Sequence, residues 1–456
     1  MDEQITSYLE NNRELHLKQM IEFLSIPSIS SDSTHKPDVR KAAEWLANDL
    51  ENGGLENVQI LETAGHPVVY ADYLRAEGKP TVLCYGHYDV QPVDPIDQWH
   101  TDPFKPEIKD NIIYSRGSSD DKGQVFMLAK AAESILAVKE ELPVNIKFCF
   151  EGEEEIGSAH LDDFVDTHLD LLQGDVLLVS DTTMIGINQP AVSYGLRGLC
   201  GLEVHLRGPK GDLHSGVYGG AVQNTLHAMV ELLATLHDKD GKIAVDGFYD
   251  GVEELTEEEK NTCEKISDDE ALRKELDVDT LVGEPGYSTT ARIWARPTVE
   301  LNGVFGGFQG EGLKTVIPST ATAKITCRLV PNQDPAVIGA LMNKHLKKHL
   351  PAGVKLDIRL MDHAEPFVMP LDHPALKAAG AALKDAYHVD PIFSRQGGSV
   401  PIVNTFHDKL GLAPVLMGFG LDTENFHAPN EHFHLVNFDR GLKALIDFLN
   451  FLPEQK

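Results

Sequence analysis

Histidine and carboxylate residues occur in five short clusters that could bind divalent metal ions. The clusters contain His87 and Asp89, Asp120 and Asp121, the acidic run 151–155, Asp181, and residues 422–427 with His427 at the end. Imidazole and carboxylate ligands without cysteine suit Zn²⁺, Mn²⁺ or Co²⁺. If one aspartate bridges two ions, each ion gains three protein ligands and keeps positions open for water, which the pair could activate for attack on a carbonyl.

Each cluster taken alone has an ordinary structural explanation. The run 151–155 could be a solvated loop, Asp120 and Asp121 could cap a helix N-terminus, and Asp181 could belong to a turn. Any one histidine is one of 20 in the chain. The metal interpretation depends on all five clusters standing at the ends of predicted elements.

Four apolar runs rich in β-forming residues position these clusters, and each run is followed closely by one of them. The runs cover residues 81–86, 144–150, 175–179 and 414–419. Helical segments at 124–141 and 161–172 separate the first three. This alternation predicts an α/β fold with a mostly parallel sheet flanked by helices. Because ligands gather at the carboxyl ends of such strands, the clusters are expected to converge at one edge.

A second domain is expected between the third and fourth runs. The predicted elements there are a strand, a helix, a strand, a helix and a strand, at residues 194–207, 222–237, 320–330, 335–350 and 354–361. They indicate an inserted two-layer α+β domain. The acidic stretch 238–297 is interpreted as a helical or loop elaboration on its surface. The first domain is expected to comprise residues 1–195 and 379–456, and the inserted domain is expected to comprise residues 196–378.

Bulk composition restricts the partners and the location. The net charge of −31 argues against binding to nucleic acid or to an anionic membrane, because both would be repelled. No stretch approaches the roughly 20 apolar residues of a membrane helix, and the polar start lacks the features of a secretory signal. We therefore expect a cytoplasmic protein. The five cysteines include no CxxC pair and are expected to be buried free thiols.

Six motifs resemble the M20 metallopeptidase family and occur in its order over nearly the whole chain. They are GHYDVQP (86–92), RGSSDDKG (116–123), EGEEEIGS (151–158), SDTT (180–183), DLHSGVYGG (212–220) and HAPNE (427–431). Three more resemble its carnosinase-like and non-specific dipeptidase branch: KTVIP (314–318), CRLVPN (327–332) and GGSVP (397–401). The resemblance implies a zinc-exopeptidase-like catalytic domain whose inserted domain acts as a lid and forms a homodimer.

The resemblance also implies roles for residues around the metals. It gives two ligand triads that share a bridging aspartate: His87, Asp120 and Asp181 for one ion, and Asp120, Glu155 and His427 for the other. Glu154 would be the general base, and Asp89 would orient the His87 imidazole. The peptide bond between Asp120 and Asp121 would be cis.

Residues of the inserted domain are implied to bind the substrate. His214 would reach the partner subunit's active site and stabilise the tetrahedral oxyanion. Arg328 and Thr315 would hold the substrate's terminal carboxylate, with Arg328 supplying a bidentate fork, and Ser399 would make a further carboxylate contact. The alternatives are a His214 bonded to its own backbone, an Arg328 salt bridge on a strand surface, and a flexible loop at Ser399.

The function that these residues favour is hydrolysis of dipeptides or very short peptides by metal-bound hydroxide, with Glu154 as base. Two divalent ions per subunit are expected, zinc first and manganese or cobalt as alternatives. An N-acyl amino-acid deacylase or desuccinylase is the second hypothesis, because HAPNE stands where eukaryotic dipeptidases have HSQNE. A third hypothesis is an inactive relative that uses its lid for binding. It requires the loss of a metal ligand or of the general base, and the sequence retains all of them.

Overall fold

The computed structural model describes residues 2–398 and 401–455 of the 456-residue chain. The chain divides into two compact units. The first unit comprises Met1–Tyr194, Met369–Ser394 and Ile402–Lys456, and the second comprises Gly195–Val368 and Arg395–Pro401.

Helices and strands occur in both units. The helices are, in chain order, α1 (Glu3–Leu24), α2 (Lys36–Asn52), α3 (Lys122–Lys139), α4 (Leu161–Thr167), α5 (Leu169–Leu172), α6 (Ser215–Tyr218), α7 (Thr225–Leu233), α8 (Glu257–Ile266), α9 (Asp269–Glu275), α10 (Thr289–Ala295), α11 (Pro335–Lys348), α12 (Pro374–Tyr387), α13 (Pro401–Leu410) and α14 (Leu435–Phe451). The strands are β1 (Glu56–Leu61), β2 (Val68–Tyr73), β3 (Thr81–His87), β4 (Glu107–Lys109), β5 (Ile112–Tyr114), β6 (Asn145–Glu151), β7 (Val176–Val179), β8 (Thr183–Met184), β9 (Ala191–Leu196), β10 (Gly198–Arg207), β11 (Leu213–His214), β12 (Thr298–Gly306), β13 (Val316–Ile317), β14 (Thr320–Leu329), β15 (Lys355–Ala364), β16 (Phe367–Val368), β17 (Ile392–Gln396), β18 (Ala413–Leu416), β19 (Gly420–Leu421) and β20 (His432–His434).

The main sheet of the first unit confirms the predicted α/β fold. Its strands run in the order β1-β2-β6-β3-β7-β18-β9. The four predicted runs form β3, β6, β7 and β18, which pair in parallel at the centre of the sheet. Helices α2, α3 and α12 pack on the sheet, and α14 packs against α3 and α12. The central strands are buried along nearly all of their length, as expected for a sheet covered by helices.

The prediction omits β1 and β2, which extend the sheet in antiparallel pairing. Polar residues interrupt the apolar pattern of these strands. Asp72 on β2 is buried, and its carboxylate accepts hydrogen bonds from Tyr70 Oη at 2.8 Å and Asn57 Nδ2 at 2.9 Å. A buried carboxylate with two donors is compatible with a strand interior.

Two predicted elements are each divided in the structure. The single strand predicted for residues 194–207 is wrong: β9 ends at Leu196 and β10 begins at Gly198. A Cβ atom at Gly198 would lie 2.6 Å from the Ala364 carbonyl oxygen, so this break needs a glycine. The helix predicted for residues 161–172 is interrupted at His168, whose φ of −125° departs from helical geometry.

The second unit has the predicted two-layer α+β arrangement. An antiparallel sheet in the order β12-β14-β10-β15 packs against α7 and α11. The apolar core combines alternate strand residues, such as Leu202 and Ile325, with Met229 of α7 and Met342 of α11. The alternation of buried and partly exposed residues along β14 is typical of a sheet with one covered face.

The acidic stretch 238–297 contains the helices α8, α9 and α10, in agreement with the predicted elaboration. Its small core includes Cys263 and Ala291. The guanidinium of Arg296 is bonded to both Glu284 oxygens at 2.8 Å, a bidentate geometry that fixes the end of the segment.

All five cysteines are buried free thiols, as predicted. Within the described residues, no helix combines the length and the apolar character needed to cross a membrane.

Candidate metal centre

The predicted metal ligands of the first unit lie together at the carboxyl edge of the parallel strands. His87 is the last residue of β3 and lies opposite Glu151, the last residue of β6. Asp181 follows β7 by two residues, and Asp120 precedes α3 by two. His427 lies eleven residues after the end of β18, beyond the two-residue strand β19. Residues far apart in sequence therefore meet because the strands end at one edge.

Asp120 lies between the two histidines. Its Oδ1 is 3.1 Å from His87 Nε2, and its Oδ2 is 2.9 Å from His427 Nε2. The other candidate ligands complete two triads, since Asp181 Oδ2 is 3.7 Å from His87 Nε2 and Glu155 Oε2 is 3.2 Å from His427 Nε2. In each triad the ligand atoms lie within 4.8 Å of one another, and both triads contain Asp120.

The electrostatics of the centre suit cations. Burial, together with the charge of Asp120, raises the pKa of Asp181 to about 8. Burial also raises the pKa of Glu154 to about 7. Carboxylates this close to one another destabilise their charged forms, and a divalent ion would remove that repulsion. The nitrogen and oxygen donor set therefore fits the two ions that the sequence predicts.

Hydrogen bonds to the carboxylates of the centre also raise the pKa values of the two histidines. Hydrogen bonds to Asp120 and Glu155 raise the pKa of His427 to about 10. Burial would lower the pKa of His87, but its hydrogen bonds to Asp120 and Asp89 outweigh burial and raise it well above its usual value. The nearby carboxylates therefore favour the protonated form of both imidazoles when no metal ion is bound.

Asp89 connects His87 to the backbone of the acidic run. His87 Nδ1 is 3.1 Å from the Asp89 carbonyl oxygen and 3.4 Å from its Oδ1. The Asp89 carboxylate accepts hydrogen bonds from the backbone N–H groups of Glu154, at 3.2 Å, and Glu155, at 3.1 Å. One buried carboxylate thus fixes a histidine and the two glutamates that follow β6.

The Asp120–Asp121 peptide bond is cis, as the resemblance implies. Asp121 belongs to neither triad, and its Oδ2 accepts a hydrogen bond from the His87 backbone N–H at 3.2 Å.

Two residues of this region were missed by the sequence reasoning. Gln91 donates from Nε2 to Glu155 Oε2 at 2.8 Å, and Glu431 is a fully buried carboxylate bonded to the loop that carries Asp120. Both lie in motifs that resemble the M20 family, GHYDVQP and HAPNE. Gln91 lies four residues after His87, and Glu431 lies four residues after His427. This closeness to candidate ligands was the signal in the sequence that could have identified them.

The candidate substrate residues belong to the second unit. His214 ends β11 and is exposed, and its Nδ1 accepts a hydrogen bond from the Gly216 N–H at 2.9 Å. Thr315 is exposed beside it, since its carbonyl oxygen accepts from the Ser215 N–H at 3.0 Å. Pairing of β11 with β13 therefore brings His214 and Thr315 together.

Arg328 lies in a different sheet, on β14, where it is half-buried opposite Leu199 of β10 and Thr298 of β12. Burial lowers its pKa from the usual value. The remaining predicted substrate contact, Ser399, lies outside the described residues.

A parallel sheet with candidate histidine and carboxylate ligands at its carboxyl edge is typical of metal-dependent hydrolases. A sequence profile for "Peptidase family M20/M25/M40" matches residues 83–450. The chain therefore belongs to this peptidase family.

Relatives of known name cover nearly the whole chain. A Cys-Gly metallodipeptidase of Candida albicans is 32% identical, covering 97% of this chain and 96% of the relative. A beta-Ala-His dipeptidase of Rattus norvegicus is 30% identical, covering 98% and 94%. The structure of an M20 family metallo-carboxypeptidase from Sulfolobus solfataricus has a TM-score of 0.84 at 34% identity and covers both chains fully, at 100% each.

Proposed function

We propose that this protein hydrolyses dipeptides or very short peptides with two divalent metal ions. The observation that carries the proposal is a pair of ligand triads that share Asp120, with Glu154 beside them. The names of the relatives, a Cys-Gly metallodipeptidase and a beta-Ala-His dipeptidase, support a dipeptide as substrate.

The proposed ligands are His87, Asp120 and Asp181 for one ion and Asp120, Glu155 and His427 for the other. Zinc is the first choice, with manganese or cobalt as alternatives, because several divalent ions accept imidazole and carboxylate ligands. When bound, the two ions lower the pKa of a water molecule and polarise the scissile carbonyl.

Glu154 is the proposed general base and acid. It belongs to neither triad, and its Oε2 lies 4.0 Å from His87 Nε2, next to the ligand atoms. A carboxylate whose pKa is raised to about 7 by burial can accept a proton from water and then donate it to the leaving amine near neutral pH. The backbone N–H groups of residues 154 and 155 donate to Asp89, which fixes the backbone that carries this side chain.

The second unit is the proposed source of substrate specificity, as a lid and dimerisation domain over residues 196–378. Arg328, Thr315 and Ser399 would bind the terminal carboxylate of the peptide. His214 would donate to the oxyanion in the partner subunit's site. Its exposed position supports a role with a partner or a substrate.

A homodimer through this domain is supported by the edge strand β12. This strand ends the sheet of the second unit and exposes the apolar side chains of Leu301, Val304 and Phe305. Exposed apolar edge strands are rare in monomers because they pair with other chains. The proposed location is the cytoplasm, which the absence of a disulfide among the five buried cysteines supports.

The test is a substrate panel assayed with chelator-stripped protein reloaded with Zn²⁺, Mn²⁺ or Co²⁺ in turn. The panel contains dipeptides, tripeptides, N-acetyl and N-succinyl amino acids, and N-blocked dipeptides. Metal-dependent cleavage of free dipeptides supports the proposal. Preference for acylated amino acids would replace it with the deacylase hypothesis, and cleavage of N-blocked dipeptides would indicate a carboxypeptidase, the activity named for the Sulfolobus structure.

A further inference from the structure

A fully buried carboxylate, Glu431, holds the loop that ends in Asp120. Its Oε1 accepts hydrogen bonds from the backbone N–H groups of Ser119, at 3.0 Å, and Asp120, at 3.1 Å. Its Oε2 accepts from the Gly117 N–H at 3.0 Å and from Arg116 Nη1 at 2.7 Å. All four donors belong to one loop of five residues, so the carboxylate fixes the backbone from which the Asp120 side chain projects.

The residue that makes these bonds is itself fixed close to His427, four residues earlier. The Glu431 carbonyl oxygen accepts from the Ser115 N–H at 3.1 Å, and β20 begins at the next residue and pairs with β5. Asn430 accepts from the His100 N–H at 2.7 Å and donates to the Gln98 carbonyl oxygen at 3.0 Å. The segment with His427 and the loop with Asp120 are thus joined through Glu431.

We propose that Glu431 is a positioning residue that sets Asp120 relative to His427 and makes the two ion sites depend on each other. The inference rests on the proposed function, in which Asp120 contacts both ions. If the Asp120 backbone shifts, its two carboxylate oxygens move together, so both sites lose geometry at once. Groups that orient metal ligands commonly contribute about 10- to 100-fold in metal affinity.

Glutamine is the informative replacement at this position. A Glu431→Gln side chain keeps one acceptor oxygen, but its NH₂ group faces backbone N–H donors that it cannot accept from. The change also leaves Arg116 buried without its countercharge, which lowers stability. Glu431→Asp keeps the charge and shortens the side chain by one carbon, so it serves as a second variant with less risk to folding.

Glu424 provides a matched control. It is equally buried and bonded to the same loop, because its Oε2 accepts from Ser119 Oγ at 2.6 Å. Its other partners are the backbone N–H groups of Leu421 and His434 and the His434 ring, whose Nδ1 lies 2.7 Å from Glu424 Oε1. Unlike Glu431, it makes no bond to the backbone of Asp120 among the described contacts. Glu424→Gln therefore removes a buried charge without releasing the proposed bridge.

The experiment is a titration of the metal-free protein with Co²⁺. Calorimetry measures the affinity of each binding step, and the visible spectrum of the bound ion reports its coordination. We expect Glu431→Gln and Glu431→Asp to weaken both binding steps by about 10- to 100-fold and to alter the spectrum. Glu424→Gln should change affinity by less than about threefold. Circular dichroism and thermal unfolding of the metal-free proteins measure folding separately. If Glu431→Gln does not fold, the metal affinity of Glu431→Asp tests the inference.

Unchanged affinity in a folded Glu431 variant would overturn the inference, and so would weakening of one binding step alone. An equal loss in Glu424→Gln would also overturn it, because the effect would then follow from any buried charge in this loop. If the wild-type protein bound no Co²⁺, the proposed function itself would fail.

Discussion

The candidate metal centre of the first unit and the candidate substrate residues of the second differ in how their side chains are held. In the centre, His87 is fully buried and bonded on both ring nitrogens, and Asp120 is bonded to two histidines. In the second unit, His214 is exposed and its ring accepts from a neighbouring backbone N–H. The first region is organised by contacts within its own chain, whereas His214 of the second is exposed to solvent.

The largest expected effect on turnover comes from replacing the proposed general base of the first region, which leaves the candidate metal ligands unchanged. Glu154→Gln should lower kcat by roughly 10²–10⁴-fold, because the amide cannot accept a proton. Both ions should remain bound, as metal analysis of the dialysed protein would measure. Glu153→Gln is the control, since the buried Glu153 bonds to His160 and belongs to neither triad. Near-normal turnover of Glu154→Gln with both ions bound would contradict the proposed base.

Replacing His214 in the second region should lower turnover almost as strongly. His214→Ala should lower kcat on the order of 100-fold or more, as for a lost oxyanion donor, with metal content unchanged. His227→Ala, at an exposed histidine of α7, is the control. Mixing His214→Ala with Glu154→Gln should restore part of the activity if each site takes its histidine from the partner. Mixed dimers without rescue would count against a shared site.

Arg328 should affect binding rather than turnover. Arg328→Lys should raise the KM of free dipeptides by about 10- to 100-fold, because a charged hydrogen bond contributes about 1.5–3 kcal/mol and lysine lacks the bidentate fork. Dipeptide amides, which have no terminal carboxylate, should lose little. Arg207→Lys, at an exposed position on β10, is the control. Equal changes in KM for dipeptides and their amides would argue against this contact.

The smallest effect concerns the protons held by the metal-free centre. His427, with its pKa raised to about 10, is protonated at pH 7 and must become neutral to bind an ion. Metal binding should therefore release protons, and affinity should rise with pH by about tenfold per unit for each proton released. Calorimetry in two buffers of different ionisation enthalpy measures this release. Affinity independent of pH between 6 and 8 would contradict the ligand assignment.

Much of the centre could be predicted because its residues stand directly after regular elements. His87 ends β3 and Asp181 follows β7, and the apolar runs that form these strands are evident in the sequence. Glu431 could not be assigned a role in the same way. Its four partners are three backbone N–H groups and one arginine more than 300 residues away, and backbone donors have no sequence signature.

The sequence by itself determined the set of donor atoms, the alternation of strands and helices, and the family. These properties depend on side-chain chemistry and on local periodicity, which neighbouring residues define. The tertiary structure decided that Asp120 lies between both histidines, that β1 and β2 extend the sheet in antiparallel pairing, and that burial raises the pKa of Glu154 to about 7. Each of these depends on distances and solvent exclusion between segments far apart in the chain, and only the folded molecule fixes those quantities.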